Sequence, residues 1–323
     1  MQKNMLENTT EATPARTTAI IVANPTSGTY IHNKQQIEET IQYLQNNNWQ
    51  VTLRLTQSAG DARQFAREAV EQELNVVVAV GGDGTINEVI QELANTETAL
   101  GVLPSGTVNV WARETGIPLD NEGALKVLLH GRTRCIDLGQ VSDRYFLLMA
   151  GIGFDGEVTR AIEKKSVKRF GVLGYLVVGT WLGLGYPSFR VILQIGEQVI
   201  KTNALQIIIG NTQLYAGAIK YTWDAKCDDG LLDICILRKQ NPFGRIAVFI
   251  DFLFHREQRR QWVQYTTGKN ITIRTRKHIA MQIDGDPAGR ITQNIPPVTF
   301  RVAPDALKVI VPHQNPEALF SKK

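Results

Sequence analysis

The stretch NVVVAVGGDGTINEVIQELA, residues 75–94, carries the patterns of a strand, a glycine-rich turn and a helix in direct succession. Its residues 76–80 form an apolar run of the length of a buried strand, and apolar side chains recur at helical spacing after Thr85. The three glycines of the turn, Gly81, Gly82 and Gly84, let the main chain approach a ligand closely, and the start of a helix offers unpaired N–H groups to phosphate oxygens. The stretch therefore predicts a phosphate-binding unit of an α/β domain.

A plainer interpretation covers part of this turn. Thr85 and Glu88 have the T-x-x-E spacing of a capping box, so these residues could serve only to begin the helix. That interpretation does not explain Asp83, a carboxylate placed where phosphates would bind, unless the carboxylate binds Mg²⁺ or a water molecule on it. The succession of strand, turn and helix favours the phosphate-binding interpretation.

The flanking sequence repeats the same alternation of strand and helix patterns. Short apolar runs at residues 19–23, 51–55 and 100–103 alternate with segments of helical periodicity. This alternation is typical of a parallel α/β sheet with helices on its faces. We expect a Rossmann-like α/β domain over residues 18–132.

Two more turns follow strands of this predicted domain. They are NPTSG at residues 24–28 and LPSGTVN at residues 103–109. Because ligands of open α/β sheets bind outside the carboxyl ends of the strands, we expect all three turns to contribute to one nucleotide site. Neither the G-x-x-x-x-G-K-[ST] phosphate loop nor the G-x-G-x-x-G dinucleotide fingerprint occurs in the sequence.

From about residue 133 the pattern changes to short β-rich runs separated by Gly, Asp or Asn. This rhythm is typical of a β-sandwich or barrel and predicts a second domain over residues 133–312, whose last strand could return to the first domain. Helical patterns interrupt it at residues 157–164 and 242–255. No linker marks the boundary, so we expect the two domains to face one cleft, with flexible ends at residues 1–17 and 313–323.

The composition excludes several classes of protein. With 323 residues, 43% of them apolar and 20% charged, the chain suits two packed domains rather than a disordered tail. A net charge of +4 is too small to indicate nucleic-acid binding by charge alone. Three cysteines without paired spacing argue against a disulfide scaffold or a zinc site. Because residues 1–18 lack the apolar core of a secretory signal, we expect a cytoplasmic protein.

One apolar segment stands out at residues 170–186, FGVLGYLVVGTWLGLGY, directly after the basic residues Lys164, Lys165, Lys168 and Arg169. A membrane-spanning helix needs about 20 apolar residues, and the five glycines of this segment favour a buried or interfacial position instead. Contact with an anionic membrane surface is one interpretation. A core helix of the second domain with a basic, solvated end is the other, and periodicity does not separate the two.

The motifs NPTSG, GGDGTINEV and LPSGTVNVWAR, in this order, resemble those of the diacylglycerol kinase catalytic-domain family, which includes bacterial diacylglycerol and related lipid kinases, sphingosine kinases and ceramide kinases. GIGFD at residues 151–155, DDGLLD at 228–233 and IDGD at 283–286 continue the resemblance, so it covers residues 20–312. It implies an N-terminal fold like that of NAD kinases and phosphofructokinases, in which GGDG also occurs, followed by a β-rich sandwich. The complete set of motifs favours the lipid-kinase branch.

The resemblance also implies roles for single residues. Asp83 would hold the catalytic Mg²⁺ through water, and Asp286, where the family has glutamate, would accept the proton of the attacking lipid hydroxyl. Aspartate is one methylene shorter, and residues 284–287 (DGDP) could also be a plain hairpin turn. Asp229 and main-chain oxygens near Lys226 and Leu231 would bind a second, structural Mg²⁺. The residues implied to line the ATP site are Asn24, Thr56, Gly81, Gly82, Asp83, Gly84, Thr85, Ile86, Asn87 and Thr107.

Together these observations predict a lipid kinase that uses ATP and Mg²⁺ to phosphorylate the hydroxyl of a diacylglycerol-like or sphingoid acceptor. A NAD kinase or another small-molecule kinase of the same fold is one alternative. A non-catalytic regulatory protein that binds nucleotide or lipid is the other, which the aspartate at position 286 keeps open. The expected partners are ATP and a lipid at the inner membrane surface, where the protein would be peripheral, and no nucleic acid. Edge strands of the β-rich domain leave a homodimer open.

Overall fold

The computed structural model describes residues 16–25, 34–164, 185–215, 219–254, 261–292, 296–314 and 318–321. The elements of the N-terminal half are β1 (Thr17–Ala23), α1 (Lys34–Asn46), β2 (Trp49–Leu55), α2 (Asp61–Glu71), β3 (Val76–Gly81), α3 (Asp83–Leu93), β4 (Ala99–Pro104), α4 (Val110–Thr115) and α5 (Asn121–His130). The four strands pair in parallel in the order β2-β1-β3-β4. The predicted α/β domain with a parallel sheet is therefore confirmed.

The residue pattern explains these elements. All six residues of β3 are buried, as expected for a strand with parallel neighbours on both sides and helices over its faces. Helix α2 buries Ala62, Ala66 and Ala69, which share one face at helical spacing. Uninterrupted apolar runs therefore correspond to the buried strands, and apolar residues spaced three or four positions apart correspond to the helices.

The C-terminal half is rich in antiparallel strands, which confirms the predicted β-rich domain. Strand β8 shows the alternation of such a sheet, because every second residue from Phe189 to Ile195 is buried. The elements are β5 (Arg132–Val141), β6 (Arg144–Phe146), β7 (Met149–Gly153), α6 (Phe154–Lys164), β8 (Phe189–Ile195), β9 (Gln198–Gly210), β10 (Leu214–Tyr215), β11 (Ile219–Lys220), β12 (Leu232–Arg238), α7 (Pro242–Leu253), β13 (Val263–Gly268), β14 (Asn270–Thr275), β15 (Ile279–Ile283), β16 (Asp286–Ile291) and β17 (Val298–Val311).

Strand β17 connects the two halves. Residues 298–301 of β17 pair with β14, and residues 300–311 pair with β5; both pairings are antiparallel. Val309 also pairs in parallel with Leu100 of β4. The hydrogen-bonded path of strands therefore continues without interruption from β16 to β2. This continuity holds the carboxyl edge of the parallel sheet close to the β-rich half.

Helices α4 and α5 have no counterpart among the sequence-based predictions. Helix α4 follows Asn109, whose positive φ of 53° ends the preceding loop, and it has only six residues, too few to show a helical period. Helix α5 has a normal cap, since the Asp120 side chain accepts a hydrogen bond from the Gly123 N–H at 2.8 Å. The D-x-x-G pattern of that cap was the signal available in the sequence.

The apolar segment at residues 170–186 and its basic neighbours lie almost entirely outside the described residues, which stop at Lys164 and resume at Gly185. Both interpretations of this segment therefore stay predictions. Tyr186, at its end, packs edge to face on Phe154 with 5.7 Å between the ring centroids. In the part of the chain that the structure describes, no helix combines the length and the apolar character needed to cross a bilayer.

Candidate active site

The carboxyl edge of the parallel sheet brings together the turns that the sequence singles out. Backbone hydrogen bonds join them in the order of the strands: Thr56 N–H donates to the Ala23 carbonyl at 3.0 Å, Asn24 N–H to Val80 at 3.2 Å, and Ser105 N–H to Gly81 at 3.0 Å. The turns after β1, β2, β3 and β4 therefore form one continuous rim. Asn24, Thr56, Gly81 and the loop that contains Thr107 all lie along it.

The glycines of the GGDG turn have different surroundings. A Cβ atom on Gly81 would overlap the Thr85 side chain, and a Cβ atom on Gly82 would lie 3.2 Å from the Cα atom of Gly106. Packing therefore explains these two glycines. Gly84 has no such neighbour within 4 Å and is exposed, although it lies in the first turn of α3. A glycine within a helix lowers helix stability by about 1 kcal/mol relative to alanine. Packing of the described residues does not explain why glycine stands at position 84.

Helix α3 begins at Asp83, and the residue at its N-cap position, Gly82, has no side chain that could cap the helix. The interpretation of Thr85 and Glu88 as a capping box is wrong. Thr85 lies inside the helix, and the Glu88 carboxylate instead accepts a hydrogen bond from the Gly60 N–H at 3.0 Å, at the start of α2. The first turn of α3 therefore presents its N–H groups at the rim without a side-chain acceptor of this type.

The Asp83 carboxylate faces the start of α4. Its two oxygens accept hydrogen bonds from the N–H groups of Val110 at 3.0 Å and Trp111 at 3.2 Å. Burial raises the pKa of this carboxyl, and the two amides of α4 lower it. The amides therefore favour the ionised carboxylate, whereas burial favours the protonated acid. Asp83 therefore fastens the GGDG turn to the start of α4.

A cavity of about 490 Å³ opens beside this rim, between α1, the start of α5 and the strands β1, β3 and β4. Thr107 lines it, as do Arg113 and Thr40. Arg113 is held by a 2.8 Å hydrogen bond from its Nε to the Val108 carbonyl. The cavity has the size of a small-ligand site. Of the residues implied to bind ATP, Thr107 is the one that reaches it.

The far side of α3 meets the β-rich half at Asp284. The Asp284 carboxylate accepts four hydrogen bonds: from Asn87 Nδ2 at 2.7 Å and from the N–H groups of Leu147, Leu148 and Met149 at 2.8 to 2.9 Å. Burial raises the pKa of Asp284 to about 6, while these donors oppose the rise. The first aspartate of the IDGD motif is therefore an anchor for the chain and not a solvated turn residue.

Asp284 and Gly285 also form a tight hairpin between β15 and β16, since both have positive φ, 47° and 87°. Asp286, at the start of β16, is exposed and forms an ion pair with Arg144, whose guanidinium lies 3.2 Å from Oδ2. The same guanidinium donates to Oδ1 of Asn87 at 3.1 Å. The carboxamide of Asn87 thus bridges Asp284 and Arg144, and Arg144 in turn bridges to Asp286.

A second set of contacts supports the hairpin from the interior. The Gly285 N–H donates to Oε1 of Gln282 at 2.7 Å, and Nε2 of Gln282 donates to the buried Asp155 carboxylate at 2.7 Å. Tyr215 donates its hydroxyl to the other oxygen of Asp155. Burial raises the pKa of Asp155 to about 6, and its two donors lower it. The GIGFD motif therefore contributes a buried carboxyl that positions the hairpin.

The turn implied to bind a second Mg²⁺ lies before β12. Oδ1 of Asp229 accepts a hydrogen bond from the Leu231 N–H at 3.0 Å, and Lys226 precedes it in the same turn. Burial, with the charges of Asp229 and Asp224, raises the pKa of Asp233 to about 7, so this region concentrates negative charge. Within the described ranges no group of three or more His, Cys, Asp or Glu side chains could hold a metal ion. A cation here would depend on main-chain and water oxygens.

Sequence reasoning missed several residues of the site. Arg144 follows a surface turn and carried no signal. Glu114 is buried, and its carboxylate accepts hydrogen bonds from the N–H groups of Gln213, at 2.8 Å, and Leu214. These bonds connect α4 to the β-rich half, and burial raises the pKa of Glu114. Asp155 belongs to a quoted motif, and its position after a buried strand was the available hint.

Both halves of the chain resemble known proteins. Residues 18–141 match the family model described as diacylglycerol kinase catalytic domain, and residues 149–311 match the model described as YegS C-terminal NAD kinase beta sandwich-like domain. A diacylglycerol kinase of Bacillus subtilis is 30% identical over 307 residues, which cover 93% of this chain and 98% of that protein. One of Staphylococcus epidermidis is 30% identical over 283 residues, which cover 86% and 89%.

Solved structures show the same fold. A crystal structure of a diacylglycerol kinase from Bacillus anthracis superposes with a TM-score of 0.71 at 22% identity and covers 95% of this chain and 100% of that one. Another, of a putative diacylglycerol kinase from the same organism, gives a TM-score of 0.76 over 93% and 98%. At this identity the likeness establishes the fold of the chain.

Proposed function

The chain belongs to the diacylglycerol kinase catalytic-domain family, and from that premise we propose that it transfers the γ-phosphoryl group of ATP to the hydroxyl of a diacylglycerol-like lipid. The observation that carries the proposal is Gly84, an exposed glycine in the first turn of α3 with open space where a side chain would lie. That space and the N–H groups of the helix start suit phosphate oxygens. The comparisons give the NAD kinase and the non-catalytic alternatives no support over a lipid kinase.

The nucleotide would bind along the carboxyl edge of the parallel sheet. Asn24, Thr56 and the GGDG turn lie side by side there, and Thr107 lies at the mouth of the neighbouring cavity. We place the phosphates against Gly84 and Thr85, because these N–H groups begin a helix whose dipole favours negative charge. Asn87 is different, since both ends of its carboxamide already have protein partners.

Asp83 would hold the catalytic Mg²⁺ through water. Each of its oxygens accepts one amide N–H, which leaves lone pairs for a water ligand. When bound, Mg²⁺ supplies neutralisation of the phosphate charge. Since the carboxylate also joins two loops, its replacement would cost stability as well as activity. Asp229, with main-chain oxygens near Lys226 and Leu231, remains the candidate for the structural Mg²⁺, where the surrounding aspartates provide the negative charge.

Asp286 would act as the general base. Its exposed carboxylate extends from the hairpin that Asp284 anchors, across from α3. In the reaction the lipid hydroxyl oxygen forms a bond to the γ-phosphorus, the bond from that phosphorus to the bridging oxygen of ADP breaks, and the hydroxyl proton passes to Asp286. Arg144 pairs with Asp286 and Asn87, so we assign it a positioning role between the base and α3.

The substrate also implies a location. ATP is a cytoplasmic metabolite and diacylglycerol resides in bilayers, so we place the protein in the cytoplasm, peripheral at the inner membrane surface. The test is incubation of the protein with labelled ATP and purified lipids, followed by extraction into organic solvent. Label in the lipid phase that depends on a diacylglycerol supports the proposal. Label that stays in water with every lipid, or that enters NAD when NAD is offered, would overturn it.

A further inference from the structure

Helix α7 exposes a row of apolar side chains to solvent. Phe243 is 82% exposed, Ile246 44%, Ile250 39% and Phe254, directly after the helix, 64%. The spacing of these residues, three, four and four positions, places them on one side of the helix. We refer to these four residues as the α7 ridge. Large apolar side chains grouped on the exposed side of a helix are a feature of interaction sites.

The inner side of α7 is already packed, so the ridge is not a misplaced core face. Val248 and Phe252 are buried, and the Phe252 ring packs edge to face on Tyr221 with 4.7 Å between centroids. The charged residues of the helix, Arg245 and Asp251, are half-buried and buried. The outward side of α7 therefore carries no charged residue, which reverses the usual distribution of a surface helix.

A basic groove lies on the β-rich half. It has a volume of about 550 Å³ and four cationic residues in its lining, Arg190, Lys201, Arg274 and Arg276, together with Ile192, Thr202, Asn203 and Thr275. None of the described residues that line it carries a carboxylate. No salt bridge of the described residues involves these four cations. The groove therefore presents uncompensated positive charge.

The groove and α7 share the outer face of one sheet. Val191 and Leu193 of β8 belong to the interior of the sandwich, so Arg190 and Ile192 between them point outward, as do their cross-strand partners Asn203 and Lys201. On the same sheet Ile208 and Cys235 point away from that interior and share a buried cluster with Val248 and Phe252 of α7. Helix α7 thus covers one end of the outer face, and the groove occupies the other end.

The backbone brings the two features together. The Lys239 N–H donates to the Asn203 carbonyl at 2.8 Å, and α7 begins three residues later at Pro242. Phe243 is therefore the ridge residue that follows this contact with the groove most closely in the chain. Ile192, 40% exposed, and Val199, 52% exposed, add apolar area beside the cations.

We propose that the α7 ridge and the basic groove together dock the protein on an anionic bilayer. A helix with its side chains is about 10–12 Å across, so α7 is thick enough to insert its ridge to the depth at which interfacial helices bury an apolar face, about 5–10 Å. The ridge would enter the boundary of headgroups and acyl chains while the cations meet lipid phosphates. This inference rests on the proposed function, because it names the surface that presents the enzyme to its lipid.

Charge decides against other occupants. A second copy of the chain would need an acidic, apolar face to match this surface, whereas an anionic bilayer offers phosphate and hydrocarbon in the required order. The position also suits the reaction. The Phe252 ring packs on Tyr221, whose ring centroid lies 5.4 Å from that of Tyr215. The Tyr215 hydroxyl in turn donates to Asp155, which supports the hairpin that carries Asp286. Docking through α7 would therefore bring the bilayer to the half of the protein that carries Asp286.

The test is sedimentation with vesicles, using vesicles of equimolar phosphatidylglycerol and phosphatidylcholine and vesicles of phosphatidylcholine alone. Phe243→Ser with Ile246→Ser should weaken binding to the mixed vesicles at least about tenfold, because the variant loses apolar area worth more than 1.4 kcal/mol. Arg190→Gln with Arg274→Gln should weaken it by about fivefold per charge and reduce its salt dependence. Tyr43→Ser, which removes a 42% exposed ring from α1, is the matched control and should bind like the parent.

A second measurement separates docking from catalysis. All of these variants should phosphorylate a short-chain diacylglycerol dissolved as monomers at the rate of the parent. If the parent does not phosphorylate it while the ridge variant still loses vesicle binding, the docking surface stands and the proposed function fails. Unchanged vesicle binding by the ridge variant overturns the docking proposal. A parent dimer in sedimentation equilibrium that the ridge variant dissociates also overturns it, in favour of a second copy on this face.

Discussion

Nδ2 of Asn87 lies 2.7 Å from Oδ2 of Asp284, across 197 positions of the chain. The contact joins the last part of the glycine-rich motif to the first aspartate of the hairpin that carries Asp286. Because the Asp284 carboxylate also accepts hydrogen bonds from the N–H groups of Leu147, Leu148 and Met149, where β6 leads into β7, α3 and the hairpin share one fixed anchor. The glycine-rich turn and the candidate base are therefore positioned by the same side chain.

Asn87→Ala should cost stability and turnover more than nucleotide affinity. The substitution removes a hydrogen bond to a carboxylate, worth about 1.5–3 kcal/mol, and frees Arg144, whose guanidinium donates to the Asn87 oxygen. Urea unfolding should show the loss, and kcat should fall while the Kd of ATP stays within a few fold of the parent. A variant that folds like the parent but binds ATP weakly would make Asn87 a nucleotide ligand instead.

Asp286→Asn should abolish turnover and keep ATP binding. A general base contributes about 10²–10⁴-fold, so kcat should fall at least about a hundredfold, measured with saturating lipid. Asp143→Asn is the matched control, since Asp143 is an exposed carboxylate next to Arg144 and should leave kcat unchanged. Turnover of Asp286→Asn near the parent rate would exclude the proposed base.

Arg144→Ala should lower kcat without a large change in stability. The ion pair with Asp286 is half-exposed, and such pairs contribute about 0–1 kcal/mol, whereas misplacement of a catalytic group can cost about a hundredfold in rate. Arg144→Lys keeps the charge but not the two-pronged geometry, so its kcat should lie between those of parent and alanine variant. Equal kcat for all three proteins would remove Arg144 from the site.

The pH dependence of stability should reveal the buried carboxyl of Asp155. Its pKa rises from 3.8 to about 6 on folding. The folded protein therefore holds a proton that the unfolded chain has released, and the stability this contributes is complete below about pH 4 and lost as the pH rises through about 6. The loss should reach about 2–3 kcal/mol by neutral pH.

Urea unfolding at a series of pH values measures this decline. Asp155→Asn should show a flatter curve than the parent between about pH 4 and pH 7. Glu197→Gln, an exposed residue of the turn between β8 and β9, should follow the parent curve and serves as the control. If Asp155→Asn declines as steeply as the parent, other groups carry the effect.

The parallel sheet was predictable because its signals are local. The run at β3 is apolar over its whole length, and each turn of the rim directly follows its strand. The same reasoning failed for the Thr85 and Glu88 capping box. The Glu88 carboxylate accepts a hydrogen bond from the Gly60 N–H at 3.0 Å, and local sequence spacing does not reveal this contact between α3 and the start of α2.

The candidate site was predictable only in part, because its remaining contacts are long-range. Asp284 and Asp286 are two positions apart in one hairpin, yet one accepts four hydrogen bonds and the other is exposed. Their roles follow from the register of β15 with β7, which sets Ile283 beside Ala150 and so brings Asp284 to the N–H groups of residues 147–149, at the start of β7. Arg144 enters the site through its position on the short strand β6, and nothing in its local sequence marks it.

Gly84→Ala separates a folding role from a binding role at the glycine-rich turn. A Cβ atom on Gly84 meets no neighbour within 4 Å. Alanine should therefore stabilise the protein, by up to about 1 kcal/mol. The same methyl group would occupy the space where we place a phosphate oxygen, so the Kd of ATP should rise at least about tenfold, or 1.4 kcal/mol.

Gly106→Ala is the contrasting variant, since its Cβ atom would lie 2.5 Å from the Cα atom of Gly82 and should destabilise the protein through backbone overlap. Thermal unfolding and calorimetric titration with ATP measure both quantities on each variant. Higher stability with weaker ATP binding is the expected result for Gly84→Ala alone. If Gly84→Ala gains stability and binds ATP like the parent, the phosphates do not lie at the start of α3.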